Sequence, residues 1–105
     1  MDHESLVRRA GSGDVRAFVE LTGRFQHFAF GSALALVHDF QQAEDVVQDA
    51  FVAAWSALST LDDPAAFPGW LRSIVRHHAF RVLRRKRTQA LPLAAAADEI
   101  GRAHV

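Results

Sequence analysis

From its N-terminus the chain sets apolar and polar residues in a helical rhythm. Glu4 to Ala10 forms one short amphipathic segment, closed by Gly11-Ser12-Gly13. Asp14 then reads as an N-cap, because its carboxylate can accept from free N–H groups in the following turn. The next helix is expected from Val15 to about Val37, with Val15, Phe18, Leu21, Phe25, Phe28 or Ala29, Ser32 and Leu36 along its apolar stripe. Gly23 and Gly31 weaken it locally or permit a close helix crossing. His38-Asp39-Phe40 reads as a break. A third helix follows from Gln41 or Gln42 to Leu58, where Ala43, Val46, Val47, Ala50, Phe51, Ala54 and Leu58 recur at three- and four-residue steps. Ser59 to Pro68 is a punctuated loop, in which Asp62-Asp63 caps Pro64 and residues Pro64 to Phe67 suit one short turn. Pro68 can open a last long helix, Gly69 to about Arg87, that buries Leu71, Ile74, Val75, His78, Ala79, Val82 and Leu83. Leu91-Pro92 ends this pattern.

The pattern predicts an all-α fold, a compact bundle of three to four main helices. Residues 1–88 form the domain, and 89–105 form a linker or tail, with helix and disorder both open for its Ala-rich part. No internal repeat and no strand-like alternation occur. At 105 residues and 50% apolar composition, the chain has the material for one core.

Composition narrows the functional classes. There is no cysteine, so a disulfide framework and a thiolate metal site are both excluded. That fits a reducing cytoplasm. The polar start Met1-Asp2-His3-Glu4 lacks the features of a signal peptide, and no apolar run approaches the ~18 residues of a membrane span. A cytoplasmic protein with no membrane partner is expected.

Net charge is zero, but the charges are segregated. Residues 39–63 hold Asp39, Glu44, Asp45, Asp49, Asp62 and Asp63 with no Lys or Arg. Residues 64–87 hold Arg72, Arg76, Arg81, Arg84, Arg85, Lys86 and Arg87 with no Asp or Glu. Two adjacent segments of opposite sign suggest two surfaces with two different partners.

On the third helix, Asp45, Gln48, Asp49 and Val52 fall at i, i+3, i+4 and i+7, one stripe beside the apolar one. Such a stripe is either a solvated face or a docking face for a basic partner, and Trp55 beyond it is either anchor or core. On the last helix, His77, Arg81 and Arg84 line up, with Arg72 and Arg76 in an adjacent row. Several guanidinium groups on one side and apolar residues on the other suit a helix that tracks phosphates. Phe67 and Trp70 at its start could stack on an unpaired base, or Trp70 could belong to the core.

Catalysis finds no constellation. No glycine-rich phosphate loop is present, and no His completes a metal site with Asp45 and Asp49. His77 and His78 are adjacent, so their rings diverge around a helix rather than converge on one ion. No catalytic residue, metal or cofactor is expected.

Three blocks now carry a resemblance: Ala43-Glu44-Asp45-Val46-Val47-Gln48-Asp49-Ala50-Phe51-Val52-Ala53-Ala54-Trp55, then Phe67-x-x-Trp70-Leu71-x-x-Ile74-Val75-Arg76, then Leu83-Arg84-Arg85. In this order and spacing they resemble region two of bacterial extracytoplasmic-function (ECF) sigma factors. The opening Leu6-Val7-Arg8-Arg9-Ala10-x-x-Gly13-Asp14-x-x-Ala17-Phe18 resembles the start of that family, so the likeness spans roughly residues 5 to 88. It implies a compact helical bundle with two jobs. The acidic helix would dock on the clamp helices of the largest subunit of core RNA polymerase through Asp45, Gln48, Asp49 and Val52. The loop Ser59 to Phe67 and the last helix would recognise and melt the promoter −10 element, with a base of the non-template strand flipped into a pocket near the loop. The implied DNA-binding set is Phe67, Trp70, Arg72, Arg76, His77, Arg81, Arg84, Arg85, Lys86 and Arg87.

Two positions depart from the family. His77 stands where Asn is usual, and Arg81 where Asp is usual, so no base identity carries over. Family members also carry a C-terminal helix-turn-helix domain that reads the −35 element, and Val105 falls where the linker to it would begin. A second reading keeps the bundle but makes it a protein-interaction module, held by an anti-sigma factor or self-associating, with little DNA affinity alone.

Overall fold

The computed structural model describes residues 1–90. It has four α-helices: α1 His3–Gly11, α2 Val15–Val37, α3 Phe40–Ala57 and α4 Phe67–Ala90. Between α3 and α4 lie two short 3-10 turns, Leu58–Thr60 and Pro64–Ala66. The all-α bundle is as expected from the pattern. The Ala-rich stretch and the Leu91-Pro92 stop lie outside the described residues.

Aspartates start α1, α2, α3 and the second 3-10 turn. Asp2 accepts from the Ser5 N–H at 2.8 Å, Asp14 from Ala17 at 3.2 Å, Asp39 from Gln42 at 2.9 Å and Asp63 from Ala65 at 3.0 Å. Each bond satisfies an N–H that the helical ladder leaves free. These hydrogen bonds hold the carboxyls of Asp2 and Asp14 below the usual aspartate range. Asp39 and Asp63 therefore serve the backbone, and the acidic working surface is smaller than the charge tally of residues 39–63 implies.

Links between the first three helices are short. Gly13 turns the α1–α2 link with φ 100°, a conformation that glycine adopts without steric cost. His38 ends α2 in the left-handed region at φ 56°, and its N–H bonds to the Leu34 carbonyl at 2.9 Å. Only His38 and Asp39 separate α2 from α3.

Helix α2 is the hub, packed against α1, α3 and α4, while α3 and α4 also pack against each other. Its buried line is Ala17, Phe18, Leu21, Ala29, Ala33 and Val37. That line corrects the expected stripe at both ends: Val15 is 60% exposed, and Ala33 and Val37 are buried where Ser32 and Leu36 were expected. Each four-residue step overshoots a full turn by about 40°, so a line stepping 21, 25, 29, 33, 37 winds around the helix and leaves Val15 beside it. Ala29, rather than Phe28, is the core residue of that pair.

Small residues bring the helices close. Ala29, Ala33, Ala43, Ala50 and Ala54 are fully buried on α2 and α3. From α4, Phe67, Leu71, Val75 and Ala79 enter the same core. Phe67 is the largest side chain buried there, with its ring centroid 5.1 Å from Phe25 and 5.9 Å from Trp70. Pro68 sits in the first turn of α4, where a missing N–H has no intrahelical partner to lose.

Candidate nucleic-acid and polymerase interfaces

On α3 the buried residues Ala43, Val46, Val47, Ala50 and Ala54 fix the helix phase. Asp45, Gln48, Asp49 and Val52 consequently emerge together on one exposed flank. Val52 is 65% exposed, an apolar residue amid carboxylates and an amide. Trp55, one turn on, leans its ring against Phe18 at 5.0 Å and keeps its remaining surface open. It is anchored to the core and exposed at once.

On α4 the same logic holds with the opposite charge. Leu71, Val75 and Ala79 point inward, and Arg72, Arg76, His77, Arg81, Arg84, Arg85, Lys86 and Arg87 are all exposed. Trp70 is half-buried and lines a hollow of about 440 Å³ with Ala53, Ala57, Ile74, His77 and Arg81. Its lining also includes Ser73 and His78, so an aromatic ring, aliphatic side chains and polar groups meet around it, a mixture that can contact a flat polar ring.

Phe67 departs from its expected place. It is fully buried between Phe25 and Trp70, so it holds the base of α4 in the core and presents no face to a ligand. Its position one residue before Pro68-Gly69 made it look like a loop residue. In the fold it is the first residue of the helix.

The two charged sets are neighbours. Two hollows between α3 and α4, of about 410 and 350 Å³, share Asp49 and Arg85 in their walls. The first adds Asp45, Gln48 and Lys86, and the second adds Val52, His78 and Arg81. All four acidic-flank candidates thus face three of the basic ones across one groove. They do not pair: among the described residues the ion pairs are Arg9–Asp14 at 3.1 Å and Arg24–Glu20 at 3.3 Å, both elsewhere. Solvated ion pairs gain little over hydration and cost side-chain entropy, so both sets stay available to partners.

His78 sits where the sets meet. Burial lowers its pKa from the ordinary 6.5, the neighbouring His77 adds to this, Asp49 opposes it and Arg81 lowers it further. The His77 and His78 rings lie 5.6 Å apart and near-perpendicular. Among the described residues no cluster of His, Asp and Glu is placed to hold a metal.

One α4 residue went unnoticed in the sequence. Phe80 is 42% exposed, out of phase with Leu71, Val75 and Ala79, and the Arg76 guanidinium carbon lies 5.6 Å from its ring centroid. The signal was its spacing: Phe80 is one helical turn from both Arg76 and Arg84, on the basic arc.

The helical bundle has known counterparts. The family described as Sigma-70 region 2 matches residues 21–89, and the chain belongs to that family. Among its relatives, the RNA polymerase sigma-H factor of Pseudomonas aeruginosa is 42% identical over 71 residues, 68% of this chain and 37% of the relative. The probable RNA polymerase sigma factor RfaY of Xanthomonas campestris is 37% identical over 91 residues, 87% of this chain and 22% of the relative. The ECF RNA polymerase sigma-E factor of Escherichia coli is 38% identical over 69 residues, 66% of this chain and 36% of the relative. The chain thus spans between about a fifth and two fifths of the length of these relatives. A solved structure of an engineered region 2 of sigmaE, in complex with GTAAAA, superposes with TM-score 0.76 and 32% identity, covering 89% of this chain and 94% of that one. Among the described residues, no helix is long and apolar enough to cross a membrane.

Proposed function

We propose that this domain docks on core RNA polymerase through α3 and engages the opened promoter −10 element through α4, acting in the cytoplasm as the initiation module of an ECF-type sigma factor. The observation that carries this reading is the pair of exposed, oppositely charged faces on adjacent helices of a sigma-70 region 2 bundle. Asp45, Gln48 and Asp49 supply acceptors for a basic helical partner, the polymerase clamp helices, with Val52 and Trp55 as apolar contacts at the end of the stripe. Arg72, Arg76, Arg84 and Arg87 supply donors for phosphates of the non-template strand. Trp70, His77 and Arg81 border a hollow suited to a base turned out of the stack.

Charge reversal separates the two jobs. The double substitution Asp45→Lys with Asp49→Lys is expected to weaken binding to the clamp-helix coiled coil at least about tenfold, while binding to single-stranded DNA is kept or strengthened. Pull-down with the isolated coiled coil and fluorescence anisotropy with a labelled strand measure the two. Unchanged clamp binding in the reversed protein removes the docking assignment.

The unpaired faces also favour a second reading. An acidic flank beside a basic one is complementary to a second copy of itself, and an anti-sigma factor could cover the same surfaces. Light scattering across a salt series separates head-to-tail association, which salt dissolves, from a monomer.

A further inference from the structure

We propose that Phe80 is a base-stacking platform: an unpaired base of the bound strand lies on its ring, with the arginines around it holding the flanking phosphates. This rests on the single-stranded DNA reading of α4 and adds to it a residue outside the core-facing set.

The other α4 aromatics are committed to the core. Phe67 is fully buried, and Trp70 is half-buried with its ring against Phe67. Phe80 is 42% exposed, and its neighbours in the inward phase, Val75 and Ala79, are fully buried. The core therefore forms without the full burial of this ring, and a good part of a large apolar side chain is left facing solvent.

The surroundings of Phe80 are cationic. Arg76 is one turn before Phe80, Arg84 one turn after and Arg87 two turns after, and all three are exposed. No carboxylate occurs anywhere in residues 64–87. Arg76 already lies over one face of the ring at cation–π distance, and a stacked base takes that place, moving the guanidinium to a phosphate, or uses the other face. A neutral π-face set among guanidinium groups matches a nucleotide in both its parts, the base on the ring and the phosphate on the cations. An apolar protein partner would find the ring ringed by charge that it must desolvate.

The test compares the whole chain with Phe80→Ala, Phe80→Leu and Phe80→Trp, using a dye-labelled single-stranded dodecanucleotide of mixed sequence across a salt series. Far-UV circular dichroism of the variants is expected to match wild type, and binding is compared at a temperature well below every melting midpoint, so that any stability lost with the covered part of the ring does not enter the affinities. Phe80→Ala and Phe80→Leu should each lose roughly tenfold in affinity, in the range that one base–aromatic stack supplies, and Phe80→Trp should keep it. The salt slope should not change, since no phosphate contact is lost. A slope reduced by about one would mean that Phe80 acts only by holding Arg76 on a phosphate, and the platform assignment would fall. A Phe80→Ala protein that binds like wild type overturns it directly. An abasic scan adds a second readout: one position whose removal weakens wild type should have no effect in Phe80→Ala. Should wild type fail to bind the strand at all, the single-stranded DNA reading falls with it, whereas loss of the Phe80 effect alone leaves that reading standing.

Discussion

Helices α3 and α4 solve the same packing problem and present opposite chemistry. Each buries a line of small and aliphatic residues against α2 and against the other. Each then exposes a flank of one charge sign, carboxylates and an amide on α3, guanidinium groups on α4. The flanks share a groove in which Asp49 and Arg85 both stand, yet no ion pair among the described residues crosses it. Apolar burial, then, holds the two helices together, and the charges are left for other molecules. Had the charges been the glue, each partner would first have to break an internal pair.

The hardest test of that division is to remove the apolar support. Phe67→Ala deletes the largest buried ring and should cost about 3–5 kcal/mol, read as a drop in the urea midpoint. Clamp and DNA binding should then fail together at denaturant concentrations that wild type tolerates. A Phe67→Ala protein of unchanged stability that lost only DNA binding would return Phe67 to the surface role that its place beside the loop suggested.

A smaller effect sharpens the contrast within α4 itself. Arg84 lies on the outward arc one turn from Phe80, and Arg85 faces the α3 carboxylates. Arg84→Ala should weaken binding to all single strands alike and reduce the salt slope by about one unit. Arg85→Ala should change the slope less. Equal slopes would show that the groove is as much part of the phosphate track as the outer face.

The smallest effect concerns His78 at the seam. Its pKa in the fold lies below the unfolded 6.5, chiefly through burial, with His77 and Arg81 lowering it and Asp49 opposing. Below 6.5 the unfolded chain therefore binds more protons than the fold, and stability falls as pH drops through this window. His78→Gln should flatten that part of the stability–pH curve, measured by urea unfolding between pH 7.5 and pH 5. A curve unaltered by the substitution would place the pH dependence elsewhere.

Much of this was legible in the chain. The bounds of α2 follow from Asp14 on one side and the His38-Asp39 break on the other, and the α3 stripe is a strong periodic signal. Misreadings occurred where local identity and helical phase disagreed. Phe40 looked like part of a break, yet it is the first residue of α3 behind the Asp39 cap, 70% exposed and stacked on Phe30 at 5.8 Å. Phe67 looked like a loop aromatic, and is core. Phe80 escapes both patterns, because it belongs to neither the apolar stripe nor the cations. In each case a ring has two possible environments, and only the angular position on the folded helix decides between them. The approach of the acidic and basic flanks across one groove could not be read either, because it depends on how α3 and α4 cross.

The connections between helices have a consequence of their own. Gly13 and His38 turn the chain within two or three residues, so α1, α2 and α3 are joined almost without slack. Among the described residues the longest joint is Leu58 to Ala66, pinned by buried Leu58 and by packing of its two turns against α1, and carrying exposed Asp62 and Asp63. Loops of this kind accept insertions and substitutions that helices refuse. A lineage could thus rewrite this joint, residue by residue, while the aim of the acidic helix stays fixed. The joint and the acidic helix would then be free to evolve at different speeds.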